Sequence, residues 1–280
     1  MKKSISYWSF PPNLNLKECF ALAKKAGFEA IEVALPSGKE ITVDSGKADL
    51  TRVRKEAEQA GLELSSLASG LFWDYSLTSN SSDTREKAKQ IVRKMLEFAS
   101  WLSVDTILVV PGAVDVFFQP GGEVVSYDVA YERALSALKE LAPVAEQYRV
   151  NIGVENVWNK FLLSPLEMRD FIDQVGSPFV GAYFDVGNVI LTGYPEQWIR
   201  ILGKRIKKVH LKDFRSSIGN ANGFVDLLEG DVNWKEVIAA LKEAGYDGYL
   251  TAEMMPVYRE NDRALIYQTS QALDFILNRK

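Results

Sequence analysis

Histidine occurs once in this chain, at position 210, where it closes the short apolar run Ile206–Leu211. If the chain holds a metal through an imidazole, His210 is the one candidate. Three carboxylates stand in comparable places. Glu155 ends Gly153-Val-Glu-Asn156, Asp185 ends Ala182-Tyr-Phe-Asp185, and Glu253 ends Thr251-Ala-Glu253. Taken singly, such acids are usually helix caps or solvated turns, and a lone histidine in a strand is usually structural. Taken together they differ, because each follows a nearly apolar run, where burying an unpaired charge would cost several kcal/mol. Three carboxylates brought to one place repel each other unless a cation sits among them. Three carboxylates and an imidazole form a hard, oxygen-rich donor set. It favours one Mn²⁺, with Mg²⁺ or Co²⁺ as alternatives, over structural zinc.

Such a set works only if the backbone brings four distant positions together. One pattern recurs along the chain: an amphipathic helix, a glycine, then a β-branched strand. It is clearest in Lys25-Ala-Gly-Phe-Glu-Ala-Ile-Glu-Val33, Gln59-Ala-Gly-Leu-Glu-Leu-Ser-Ser-Leu67 and Glu243-Ala-Gly-Tyr-Asp-Gly-Tyr-Leu-Thr251. Glycine there tolerates the left-handed backbone of a helix C-cap. Further strands are expected at residues 4–8, 104–110, 149–155, 179–185 and 206–211, giving eight in all. Between them, residues 84–102 carry Ala88, Ile91, Met95, Ala99 and Leu102 on one helical stripe, and residues 128–148 repeat the pattern. Asn15, Asp83 and Asn233, each followed three residues later by Glu, resemble capping boxes; Ser164-Pro165-Leu-Glu167 is a stronger helix start.

Alternating strands and helices in 280 residues predict an α/β fold, a (β/α)₈ TIM barrel formed by residues 1–280 as one domain. A doubly wound sheet is disfavoured, since Trp8-Ser-Phe-Pro-Pro12 cannot cradle a pyrophosphate as a glycine-rich turn does. In a barrel the C-terminal strand ends share one rim, so Glu155, Asp185, His210 and Glu253 would meet there. Aromatic residues after strand ends, Trp8 and Trp158 foremost, would offer flat apolar walls to a substrate bound at that rim. Long loops at 111–126 and 215–229 are expected to be lids, the first with an oligomer contact as the alternative and the second flexible.

Composition sets outer bounds. A hydrophobic fraction of 47% suits a substantial core, and a net charge of −4 leaves no global electrostatic footprint for nucleic acid. The single cysteine, Cys19, excludes an intrachain disulfide and a cysteine-held metal cluster, and its amphipathic setting predicts a buried thiol. Residues 1–12 contain no run suited to a signal peptide, and about 18 consecutive apolar residues occur nowhere, so no membrane span and a cytoplasmic location are expected.

The motifs Gly-Val-Glu155-Asn, Phe-Asp185-Val-Gly-Asn188, Val-His210-Leu-Lys-Asp213 and Ala-Glu253-Met resemble, in order, the sugar phosphate isomerase/epimerase family of xylose-isomerase-like barrels. Within it they look most like ketose 3-epimerases of the tagatose/psicose and L-xylulose 5-phosphate types. The resemblance covers nearly the whole chain. It implies one divalent ion on Glu155, Asp185, His210 and Glu253, and Glu155 and Glu253 as the acid/base pair at the carbon next to a carbonyl. It implies a small sugar or sugar phosphate as partner and leaves a homo-oligomer open.

Arg215 matches the region where family members place a substrate-binding arginine. Asn188 stands where many free-ketose epimerases have a substrate-contacting histidine, and the Asp-Val-Gly-Asn form resembles the phosphorylated-sugar branch. Lys212 is placed to support the site by bonding Glu155 or Asp213.

Two branches of the superfamily are excluded: a trinuclear zinc nuclease needs several histidines, and two-metal xylose isomerase chemistry needs a second one. An inosose dehydratase-type lyase with the same ligands is the main rival. Hydroxypyruvate isomerase is a weaker one, and a non-catalytic sugar-binding barrel is the alternative outside enzymes.

Overall fold

The computed structural model describes residues 1–255 and 258–279. Eight parallel strands close into a barrel. They are β1 (Lys2–Ser6), β2 (Ala30–Leu35), β3 (Glu63–Ser69), β4 (Thr106–Val109), β5 (Asn151–Glu155), β6 (Val180–Asp185), β7 (Ile206–Leu211) and, after a hairpin of β8 (Asp213–Phe214) and β9 (Phe224–Val225), β10 (Tyr249–Ala252). Closure comes from β1 pairing with both β2 and β10, with Ile5 opposite Ile31 and Ala252. The expected TIM barrel is therefore the observed fold. The first strand runs Lys2–Ser6 rather than 4–8, because residues Tyr7–Ser9 turn into a single 3₁₀ turn that carries Trp8 onto the rim.

Among the described residues eight α-helices surround the barrel: α1 (Leu16–Ala26), α2 (Lys47–Gln59), α3 (Ser82–Leu102), α4 (Tyr127–Tyr148), α5 (Pro165–Val175), α6 (Pro195–Leu202), α7 (Trp234–Glu243) and α8 (Ala264–Ile276). Their apolar stripes pack on the outward faces of the strands; in α3 that stripe is Ala88, Ile91, Met95, Ala99 and Leu102, all buried. Asn15 makes a full capping box with Glu18. Asn233 caps α7 by accepting from the Glu236 amide, and Ser164 caps α5 with Pro165 in the first turn. The Asp83 cap is corrected: Ser81 accepts from the Thr84 amide, and Asp83 lies inside the first turn, where its charge meets the positive helix end.

Inside the barrel, side chains alternate. Ile31, Val33 and Leu35 belong to the apolar layer under the helices, whereas Glu32 faces inward. Two register shifts adjust what points in. Between β2 and β3 the pairing passes from Ile31–Leu64 to Val33–Leu67, so Ser65 and Ser66 together oppose Glu32. Between β6 and β7 it passes from Ala182–Ile206 to Tyr183–Lys208, after which Asp185 pairs directly with His210. Cys19 is fully buried, and burial pushes its thiol up to about 12, as expected of an inert side chain. Among the described residues no helix is long and apolar enough to cross a membrane.

Candidate metal centre and substrate cavity

Glu155 and Asp185 are the last residues of β5 and β6, His210 is next to last in β7, and Glu253 directly follows β10. In barrel order these are four adjacent strands, β5-β6-β7-β10, so one arc of the rim carries all four side chains. One donor atom from each lies within 4.8 Å of the others, and all four residues are buried. His210 Nδ1 is 2.9 Å from Glu253 Oε2, 3.4 Å from Glu155 Oε1 and 3.9 Å from Asp185 Oδ2.

Asp185 Oδ2, His210 Nδ1 and Glu253 Oε2 are buried and lack a hydrogen-bond partner of adequate geometry among the described residues. Buried polar atoms are rarely left so. Three such atoms converging on one point, from hard donors, fit a divalent cation.

Lys212 Nζ already supplies one positive charge, 2.9 Å from Asp185 Oδ2 and 2.7 Å from Glu253 Oε2. The sequence suggested Glu155 or Asp213 as its partner; neither is. Asp213 points away from the cluster, accepting from the amides of Phe214, Leu228 and Val232 and from Trp234 Nε1. It thereby shapes the following loop. Lys212 comes close because residue 187 is glycine: a Cβ there would lie 2.5 Å from the Lys212 Cβ and 2.9 Å from its backbone.

The electrostatics follow from burial and these pairs. Burial raises the Glu155 carboxyl to about 7 against the opposing pull of His210 and Lys212. Burial would raise Glu253 too, but the adjoining Lys212 and His210 charges hold it well below the usual carboxylate range. Burial disfavours charge on His210 and Lys212, yet the surrounding carboxylates raise both above their ordinary values.

His210 has a second partner that the motif reading assigned no role. Its Nε2 lies 2.8 Å from Glu32 Oε1, and both side chains are fully buried. Glu32 also accepts from Ser66 Oγ at 2.8 Å and from the Tyr183 hydroxyl. Tyr183 crosses the barrel with its ring edge-on to His210, centroids 4.6 Å apart. Room for it comes from Gly153, where a Cβ would meet Tyr183 Cβ and Cδ2 at 3.0 Å. With Nε2 donating to a carboxylate, Nδ1 is free to accept or to ligate; a carboxylate behind a histidine commonly orients it in metal sites. The available sequence signal was the charge of Glu32 alone within the apolar run Ala30–Leu35.

Asn156, also without an assigned role, locks the ends of β5 and β6. Its Nδ2 donates to the Asp185 carbonyl and its Oδ1 accepts from the Asp185 amide, both at 2.8 Å. Asn188 joins this knot. Its amide donates to Asp185 Oδ1 and its Nδ2 to the Asn156 carbonyl, both at 2.9 Å. Asn188 still borders the cavity above the carboxylates, as do Trp8 and Trp158; Trp158 Nε1 donates to the Asn188 carbonyl. Arg215 does not border it: its Nε donates to the Glu229 carbonyl at 2.8 Å, and the side chain is exposed.

Loop 215–229, expected to be flexible, carries β9, which pairs back onto β8 just before the loop, with Asp213 opposite Val225 and Phe214 opposite Phe224. Loop 111–126 brings Phe117 and Phe118 to the cavity mouth, where Phe118 packs edge-on to Trp73 at 4.9 Å and Phe117 lies 5.8 Å from Trp158.

Residues 20–276 match the family described as Xylose isomerase-like TIM barrel. The chain belongs to that family. Curated relatives include an uncharacterized protein of Methanocaldococcus jannaschii, 27% identical over 65% of this chain and 61% of that protein. Another is an L-ribulose-5-phosphate 3-epimerase of Salmonella paratyphi C, 24% identical over 99% of this chain and 95% of its own. Among solved structures, D-psicose 3-epimerase crystallised with D-fructose superposes with a TM-score of 0.81 at 20% identity, covering 98% of each chain. The IOLI protein with a bound zinc atom gives 0.82 at 18% identity, covering 100% of this chain and 99% of that one. A further relative, from Actinoplanes, is named a 2-epi-5-epi-valiolone 7-phosphate 2-epimerase, 26% identical over 69% of this chain and 66% of its own.

Proposed function

We propose that this barrel is a divalent-metal-dependent epimerase of a ketose or ketose phosphate, moving the proton on the carbon next to the carbonyl. The carrying observation is the convergence of donor atoms from Glu155, Asp185, His210 and Glu253 within 4.8 Å, three of them buried and, among the described residues, lacking a hydrogen-bond partner of adequate geometry, with Lys212 alone as a nearby cation for two of them. Those four residues would hold the ion, for which the donor set favours Mn²⁺, with Mg²⁺ or Co²⁺ as alternatives. When bound, the ion supplies Lewis-acid polarisation of the carbonyl and so acidifies the neighbouring C–H.

The chain's own residues supply the rest. Epimerisation removes a proton from one face of the carbon and returns one to the other. Glu155 and Glu253 stand at opposite ends of the four-strand arc, with β6 and β7 between them. One carboxylate oxygen takes the proton; the other carboxyl delivers its own. Lys212, beside Glu253 and Asp185, holds the carboxylates in place and keeps Glu253 ionised. Trp8 and Trp158 flank the sugar, and Asn188 orients Asp185 while bordering the cavity. The epimerase names of the curated relatives support the same reaction class.

The test is incubation of Mn²⁺-loaded protein in D₂O with ketoses, ketose phosphates and an inosose. Deuterium at carbon 3 of a ketose, without loss of water, is the expected result. A dehydrated product would favour the lyase instead, and bound metal with no exchange in any substrate would overturn the epimerase reading.

A further inference from the structure

The cavity above the carboxylates, about 670 Å³, has two unlike halves. Its charged floor is Glu155, Glu253 and Lys212, and Ser69 and Asn188 add uncharged polar groups to the lining. Its upper wall is aromatic, formed by Trp8, Trp73, Phe117, Phe118, Trp158 and Phe224. Phe117 and Phe118 are about half exposed and pack against each other and against Trp158 and Trp73 across the mouth. Among the described residues bordering this cavity Lys212 is the one cation, and it is committed to Asp185 and Glu253.

The apolar surface continues past Trp158. A second cavity of about 390 Å³ shares Phe117, Val157, Trp158 and Asn188 with the first and adds Phe161 and Leu191. Lys160 at its edge is paired with Asp115 at 2.6 Å.

We infer that the substrate is an uncharged ketose whose end remote from the carbonyl is apolar, a deoxy or O-alkyl ketose, and not a phosphate ester. The inference rests on the epimerase reading above and specifies its substrate. The carbonyl end and its hydroxyls match the polar floor. The remote end meets rings that offer C–H and π contact but no cation for a phosphate dianion, and a charge left unpaired against such a wall is costly. An alkyl group there also finds space beyond Trp158.

The test uses the full-length, Mn²⁺-loaded protein and three ligands of one stereochemistry: a parent ketose, its terminal O-alkyl ether and its terminal phosphate. Affinity is measured by calorimetry and carbon-3 exchange separately in D₂O. The O-alkyl ketose should bind at least about tenfold tighter than the parent, as expected for apolar groups entering an apolar pocket, and the phosphate weakest. Phe118→Lys, at a half-exposed site, should shift preference toward the phosphate. Tightest binding of the phosphate by the unaltered protein, or no gain in phosphate binding on Phe118→Lys, overturns the inference. So does equal or absent binding of all three. Selective binding of the O-alkyl ketose without carbon-3 exchange supports the cavity assignment and counts against the epimerase reading alone.

Discussion

At the scale of single residues, the proposed acid/base roles of Glu155 and Glu253 can be told apart from the supporting role of Glu32. Glu253→Gln keeps the shape of the side chain and removes its basicity. Turnover should fall by about 10²–10⁴-fold, the usual worth of a general acid or base, while far-UV circular dichroism stays unchanged; retained activity would remove Glu253 from the acid/base pair. Glu155→Gln should behave alike. Glu32 acts differently, through the His210 Nε2 contact at 2.8 Å. Glu32→Gln should weaken Mn²⁺ binding by about 10–100-fold, the usual effect of losing a partner behind a ligand. Titration followed by the Mn²⁺ electron paramagnetic resonance signal would show it, and undiminished affinity would mean that Glu32 only fills space.

Secondary-structure elements decide whether those residues meet. The extra residue in β3 turns Ser66 toward Glu32, and Gly153 in β5 leaves room for Tyr183 from β6. Gly153→Ala places a methyl 3.0 Å from Tyr183 and 3.2 Å from the Ile107 carbonyl. Overpacking of this kind costs about 1–3 kcal/mol, so the urea midpoint should drop, and Mn²⁺ affinity with it as Tyr183 shifts against His210. Asn15→Ala is the matched contrast. Loss of the α1 cap costs about 1 kcal/mol but lies outside the site, so the midpoint should fall with Mn²⁺ affinity unchanged.

For the molecule as a whole, the rim holds like charges together within a closed barrel. A cation that binds only the folded state therefore adds to stability by mass action, about 2.7 kcal/mol at a hundredfold excess over its dissociation constant. Added Mn²⁺ should raise the melting temperature, chelation should reverse the rise, and Glu253→Gln should shrink it. The barrel should stay folded after chelation, since its strands close on a continuous apolar layer and Lys212 already offsets part of the rim's negative charge. An unmoved melting temperature in the unaltered protein would show that the four residues hold no ion.

Local patterning was enough to place the eight strands, the barrel and the four strand-end residues. Helix stripes, Ala-Gly helix ends and apolar runs capped by a charge all reside within short windows of chain. The same windows misplaced the ends of β1 and α3, where turn and cap geometry shift by a few residues. They also left Glu32, Asn156 and Tyr183 without roles, because each works through a partner at least 29 positions away. Lys212 facing Asp185 and Glu253 rather than Asp213, and Arg215 facing Glu229, depend on how β7 leaves the barrel beside Gly187. Residue order alone determined which groups reach the rim, because strand alternation and barrel closure are properties of pattern. Which of them face one another, and what kind of wall stands above them, was decided by packing between distant strands and loops.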